Sequence, residues 1–346
     1  NQSYLKMSKD ELQAQYNTVI AEYNDIKAKG LNIDMSRGKP GSDQLDISND
    51  MLKVFEDGNF KTEAGFDVRN YGLLQGIPEC QKLFAELLDV KPEMVIVGGN
   101  SSLNMMFDYI TQCMLTGSGA EPWKDQGEIK FLCPCPGYDR HFAICESLGI
   151  EMINIKMTNE GPDVDEIEKY VKDPMVKGMF VVPKYSNPQG ITFSSETVKR
   201  IANLTPAADD FRIIWDNAYI VHDLTEKSDD LLNIFSVLPE RNKNMVVEVT
   251  STSKISFPGA GVALLAASDK NIKEVKKHMS KQTIGYDKTN QRRHAVYFKN
   301  FEGIKRHMQK QADIIRPKFE MLDELMTNEI ASRGIGTWVN PVGGYF

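Results

Sequence analysis

Gly178-Met-Phe-Val-Val-Pro-Lys-Tyr-Ser-Asn-Pro-Gln-Gly190 decides the fold. A short apolar run without alternation meets two prolines, an asparagine and a glycine, and a helical pattern opens near Ser194. Such a run is a strand covered on both faces, and the Pro-Asn-Gly cluster is the loop at its end. The same order recurs on either side. Met94-Val-Ile-Val97 ends in Gly98-Gly-Asn-Ser-Ser102 and a helix to about 115. Ile129-Lys-Phe-Leu132 ends in Cys133-Pro-Cys-Pro-Gly-Tyr138 and a helix, and Glu151-Met-Ile-Asn-Ile155 precedes a helix near 163–172. Phe211-Arg-Ile-Ile-Trp215 ends in Asp216-Asn-Ala-Tyr219, and Asn244-Met-Val-Val-Glu-Val249 in Thr250-Ser-Thr-Ser-Lys254. Val262-Ala-Leu-Leu-Ala266 leads to a helix from about Asp269. Seven runs alternating with helices predict an α/β protein with a mainly parallel seven-stranded sheet, helices on both faces.

Further out, Ser8 opens an amphipathic helix to about residue 29, with Leu12, Tyr16, Val19, Ile20 and Tyr23 on one face. Another helix is expected over about 76–89, and a long one from Phe301 to Ser332 that bridges two domains. The larger domain is expected at 56–304, and a smaller α+β domain at 1–55 and 305–346. Pro341-Val-Gly-Gly-Tyr-Phe346 reads as a turn entering a strand, so the smaller domain is expected to be incomplete.

Composition narrows the function. The chain has 346 residues, 41% of them hydrophobic, enough for a core without disulfides. Five cysteines without a repeated spacing fit a reducing compartment, and the lone Cys133-Pro-Cys135 has no second pair to complete a zinc site. The net charge is −7 with both signs interspersed, which gives no nucleic-acid surface. No apolar run reaches membrane-spanning length and the first residues lack a signal-peptide core, so a cytoplasmic protein is expected.

In open α/β sheets ligands bind beyond the carboxyl ends of the strands. The residues there are Asn100, Ser101, Ser102, Tyr138, Asn187, Asp216, Tyr219, Ser251 and Lys254. Gly98-Gly99 lets the backbone turn tightly into a helix whose first N–H groups suit a phosphate. Asp216 follows a buried strand directly, so its carboxylate needs a partner. A lysine Schiff base with an aspartate against a pyridinium nitrogen is the pyridoxal-phosphate arrangement.

Asn187-Pro-Gln-Gly190, Asp216-Asn-Ala-Tyr219 and Ser251-Thr-Ser-Lys254 together resemble the signatures of fold-type I pyridoxal-phosphate aminotransferases, and Arg69-Asn-Tyr-Gly72 with Gly76 resembles their upstream tyrosine segment. Ser36-Arg-Gly-Lys-Pro40, Pro136-Gly-Tyr-Asp-Arg-His-Phe142 and Gly259-Ala-Gly-Val262 are similar to the divergent aspartate aminotransferase subgroup with a MocR-type aminotransferase domain. The resemblance covers nearly the whole chain. It implies that Lys254 holds pyridoxal 5'-phosphate as a Schiff base and that Asp216 keeps the ring nitrogen protonated. Asn187 and Tyr219 would bond the ring's phenolic oxygen, while Ser251, Asn100, Ser101 and Ser102 would bind phosphate. Tyr71 would reach the cofactor phosphate of a second subunit, which implies a homodimer with shared active sites. Gly38 would lie against the substrate carboxylate. Tyr138 is the chosen ring-stacking aromatic, with His141 or Phe142 as alternatives.

Two departures stand out. The family's phosphate-binding arginine is absent from Gly259-Ala-Gly261, and Lys288 or Arg292 in the polar loop Gly285–Arg293 is expected to replace it. The α-carboxylate arginine would fall beyond Phe346. Transamination between an amino acid, expected to be aspartate, and a 2-oxo acid, expected to be 2-oxoglutarate, is the function implied. Arg37, Lys288 and Arg292 are the candidate cations for a second substrate carboxylate. A different pyridoxal-phosphate reaction, such as β-elimination, uses many of the same residues. A ligand-sensing module would carry a DNA-binding helix set and a basic segment before the domain, and only one helix is read there. A nicotinamide dehydrogenase would need G-x-G-x-x-G after the first strand, which Gly98-Gly-Asn-Ser-Ser102 does not supply.

Overall fold

The computed structural model describes residues 2–34 and 36–346. Eight strands form one sheet: β1 (Val95–Val97), β2 (Lys130–Cys135), β3 (Glu151–Thr158), β4 (Gly161–Pro162), β5 (Val176–Val181), β6 (Arg212–Asp216), β7 (Val246–Ser251) and β8 (Ala263–Ala267). Their order is β1-β8-β7-β6-β5-β2-β3-β4. The helices are α1 (Lys9–Ala28), α2 (Ser42–Asp46), α3 (Pro78–Leu88), α4 (Ser102–Leu115), α5 (Asp139–Ser147), α6 (Val164–Tyr170), α7 (Ser195–Ala202), α8 (Asp269–Gln282), α9 (Lys288–Phe298) and α10 (Phe301–Leu325).

The seven expected runs are β1, β2, β3, β5, β6, β7 and β8. The eighth strand, β4, is a two-residue return that pairs antiparallel with the end of β3. A two-residue strand has no periodicity to read, which is why seven were expected. Neighbours β3, β2, β5, β6 and β7 are parallel. β8 runs antiparallel to both β7 and β1, so β1 points the same way as the parallel set. Six carboxyl ends therefore meet one edge, and β8 begins there.

Alternation decides which layer each side chain joins. Val95, Val97, Leu264 and Ala266 face one layer with Leu83, Phe84 and Phe298 from α3 and α9. Ile96, Ala263, Leu265 and Ala267 face the other with Met106, Ile110 and Ile272 from α4 and α8. Both faces of the sheet are thus apolar, as an unalternating strand sequence requires.

The chain divides into two compact units, 1–39 with 313–340, and 40–312 with 341–346. The sequence places the seams at 55/56 and 304/305 instead. The difference has a local cause: buried Gln44 donates to Gln311 Oε1 at 3.1 Å, and Ser48 lies 3.4 Å from His307, tying α2 to the first half of α10. Two elements also end differently from expectation. Residues 288–291, read as loop, are the first turn of α9, which Asp287 caps by accepting from the Asn290 N–H. Regular α10 stops at Leu325 and gives way to a short π and then a 3₁₀ stretch before Gly334, which takes the left-handed conformation at φ +70°. The capping box at Ser8 is present, yet α1 buries none of its residues.

Candidate active site

Asp216 ends β6 with its side chain buried. His141, from the first turns of α5, meets it with Nε2 2.8 Å from Oδ2. The His141 ring is itself fixed, stacked on Phe180 at 4.6 Å and edge-on to Tyr138 at 5.1 Å. The other carboxylate oxygen, Oδ1, is buried with no hydrogen-bond partner among the described residues. An orphaned buried acceptor is costly, so this oxygen calls for a donor that the chain does not supply.

Lys254 follows β7 by three residues and is half-buried, with Nζ 5.1 Å from the centroid of the Tyr219 ring. Burial holds its ammonium pKa below the usual lysine range, and the Asp216 charge opposes that shift. More of the free amine is therefore present near neutrality than for a solvated lysine. Tyr219 is buried, and burial raises its phenol pKa, with the Asp216 charge next.

The turn after β1 leads directly into α4. Ser101 stands at the N-cap of α4 but makes no side-chain cap, so the first helical N–H groups face outward. Ser253 Oγ reaches the Asn100 carbonyl at 3.4 Å and accepts from Ser251 Oγ at 2.9 Å, which brings the β7 loop against this turn. Asn187 and Tyr138 line one recess together with His141.

The expected cations fall as follows. No side chain fits at Gly261, where a Cβ would lie 2.8 Å from Thr252 Oγ1 and 2.9 Å from the Phe257 carbonyl. Lys288 is buried at the start of α9, and burial lowers its pKa. Its Nζ donates to the Tyr286 carbonyl at 3.3 Å. Gly285, beside it, backs onto the Gly72 carbonyl, and the Tyr286 ring approaches Gly99. The 285–288 segment therefore touches both the phosphate-type turn and the Tyr71–Gly72 segment. Arg292 is half-buried with Nε unpartnered among the described residues. Tyr71 is 78% exposed and bonded through its backbone N–H to Asn70. Arg37 and Gly38 belong to the first unit.

Several members of the site carried no signal in the strand-end reading. His141 was read only as a stacking alternative, because a helix-borne histidine shows no spacing to a strand-end aspartate. Residues 341–346 dock onto the larger unit through an isolated antiparallel bridge between Gly343 and Asp223, with the Gly344 N–H donating to the His222 carbonyl at 2.8 Å. Tyr345 and Phe346 then sit 6.3 and 6.5 Å from the Tyr219 ring. Buried His222 packs edge-on to Tyr219 at 5.4 Å. Burial, with the Lys254 charge next, pushes the His222 pKa down to about 3, so the imidazole stays neutral.

A mainly parallel sheet with an aspartate and a lysine at one edge fits the fold-type I aminotransferases. The aspartate amino-transferase family model matches residues 7–346, and this chain belongs to that family. An aspartate aminotransferase of Corynebacterium glutamicum is 43% identical over 328 residues, covering 94% of this chain and 76% of that protein. A crystal structure of an aspartate transaminase from the same organism superposes with a TM-score of 0.94 at 40% identity, covering 99% of this chain and 81% of that one. LysN, an α-aminoadipate aminotransferase from Thermus thermophilus solved with N-(5'-phosphopyridoxyl)-L-leucine, shares the fold with a TM-score of 0.70 at 18% identity, covering 89% and 74% of the two chains. The chain is an aminotransferase, and aminotransferases of this fold depend on pyridoxal phosphate.

Proposed function

We propose that this chain moves an amino group between aspartate and 2-oxoglutarate, with Lys254 as the cofactor lysine and Asp216 as the ring-nitrogen partner. The single observation that carries the reading is the buried, partnerless Asp216 Oδ1 on a carboxylate whose other oxygen His141 already holds. A protonated ring nitrogen is the donor that fits it. When bound, pyridoxal phosphate supplies an aldehyde and a ring that accepts the electron pair released at the substrate Cα.

The residues divide the remaining work. Ser251, Asn100, Ser101 and Ser102 bind the phosphate, with the free N–H groups of α4 adding to its anchorage. Asn187 and Tyr219 hydrogen-bond the phenolic oxygen, and Tyr138 covers the ring. Lys254 Nζ, once released, takes the proton from the substrate Cα and returns it as general acid. Its lowered pKa suits it to the first of these roles. Arg292 is assigned to a substrate carboxylate. The name of the 43% identical relative supports aspartate, and the unpartnered Arg292 Nε supports a dicarboxylate. Exposed Tyr71 supports a homodimer in which it serves the neighbouring site, and sedimentation should give twice the monomer mass.

Amino donors offered in turn with 2-oxoglutarate test the substrate. Aspartate is expected to exceed alanine in kcat/KM by at least about tenfold, the discrimination that about 1.4 kcal/mol of ion pairing gives. Equal rates would remove the dicarboxylate assignment. Ammonia release without amino transfer would replace transamination by elimination. Lys288→Ala is expected to bind pyridoxal phosphate about tenfold more weakly by equilibrium dialysis, the loss of one charge-assisted bond. Unchanged cofactor affinity with selective loss of dicarboxylate substrates would move Lys288 to substrate recognition.

A further inference from the structure

On the sheet face opposite α4 and α8 lies a cavity of about 450 Å³, lined by Trp215 and Asn217 on either side of Asp216. That volume is within the range of small-molecule sites. Its walls come from the end of α3, the loop after β6, strand β7 and the start of α10. Glu248 of β7, 4% exposed, lines it. Asn217 Nδ2 donates to Glu248 Oε1 at 2.8 Å, and no hydrogen bond among the described residues reaches Oε2. Asn217 Oδ1, on the same wall, is buried and likewise without a partner. Glu248 and Asn217 thus each leave one acceptor atom without a donor among the described residues.

The rest of the lining has the same sign. Glu86, Asp89 and Asp230 are exposed at the rim and Asp229 is half-buried there. Lys184 is the only basic residue of the lining. It is committed to Asp223 Oδ1 at 2.9 Å and the Ile220 carbonyl at 3.1 Å. No three carboxylate, histidine or cysteine groups among the described residues gather as a metal ion requires. Between rim and floor the walls are apolar, with Leu88, Trp215 and Leu232 among them.

We propose that this cavity binds a small organic cation, a primary amine or diamine, whose ammonium group donates to Glu248 Oε2 and Asn217 Oδ1. Its methylene stem lies along Leu88 and Leu232, and the acidic rim draws it in. A second ammonium group would stay at the rim beside Asp230. Burial raises the Glu248 pKa to about 7, so the carboxylate is ready to pair with a cation in mildly alkaline solution. The site reports on the strand that carries the chemistry. Asn217 follows Asp216, its N–H donates to the Val249 carbonyl at 2.9 Å, and its own carbonyl accepts from Thr250 Oγ1 at 2.9 Å. An occupant pulling on Glu248 therefore acts on the β6–β7 pair that holds Asp216. The proposal stands apart from the transaminase reading, since binding is measured without turnover.

Calorimetric titration of the protein with 1,4-diaminobutane at about pH 8, up to about 10 mM, tests it. One saturable site per chain is expected, with no heat of binding from the uncharged isostere 1,4-butanediol. Glu248→Gln should weaken the diamine at least tenfold. Where that variant does not fold, Leu232→Trp, which narrows the cavity at a half-buried wall position, decides by the same criterion. Absence of saturable binding to the unaltered protein overturns the proposal. So does equal affinity in the folded variant, because the diamine is then held at the acidic rim alone.

Discussion

Lys254→Ala should lower the rate of amino transfer by about 10³-fold or more while leaving the fold intact. Positioned general acid–base groups contribute roughly 10²–10⁴ in rate, and this lysine is proposed to serve as both acid and base. Its removal takes away a half-buried amine that no hydrogen bond requires for folding, so the melting temperature should move little. The cofactor should still be retained through the phosphate cradle at Ser101 and Ser251, but without a covalent link. Single-turnover measurements with excess aspartate check the rate. A variant within about tenfold of the unaltered protein would show that another group moves the Cα proton.

Asp216→Asn is expected to cost nearly as much, about 10²–10³ in kcat. The substitution keeps the shape and removes the charge, so the donor facing the present Oδ1 loses an ionic partner. Breaking one member of a buried charged pair costs about 3–5 kcal/mol, enough for that range. His141 should be left with a weaker acceptor at Nε2, 2.8 Å away in the unaltered protein. The loss should therefore appear in kcat more than in phosphate-anchored cofactor affinity. An equal loss in both would make Asp216 an anchor rather than an electronic partner of the ring.

The sheet was legible because its strands are buried on both faces and so read as continuous apolar runs with loop residues at one end. Asp216, Lys254 and the Gly98–Ser102 turn stand out for the same reason, as polar residues at the points where such runs stop. β4 was invisible, being only Gly161 and Pro162. His141 lay hidden because it reaches Asp216 from a helix 75 residues away in sequence. Tyr345 and Phe346 were read as the start of a strand, since nothing local told that Gly343 and Gly344 would lie flat against the Tyr185 ring. Lys288 looked like a loop residue because its neighbours Tyr286, Asp287 and Thr289 are polar. Asp287 instead caps a helix, and the lysine that opens it is buried. Glu248 was hidden in the opposite sense, as one charged residue in an otherwise apolar strand whose buried surroundings only tertiary packing supplies.

The central claim is that Lys254 carries the cofactor opposite Asp216. Borohydride reduction of the protein loaded with pyridoxal phosphate, followed by proteolysis and peptide mapping, tests it most directly. One stable phosphopyridoxyl group per chain is expected, on the peptide containing Ser251-Thr-Ser-Lys254. A label found instead on Lys184, Lys288 or any other lysine would contradict it.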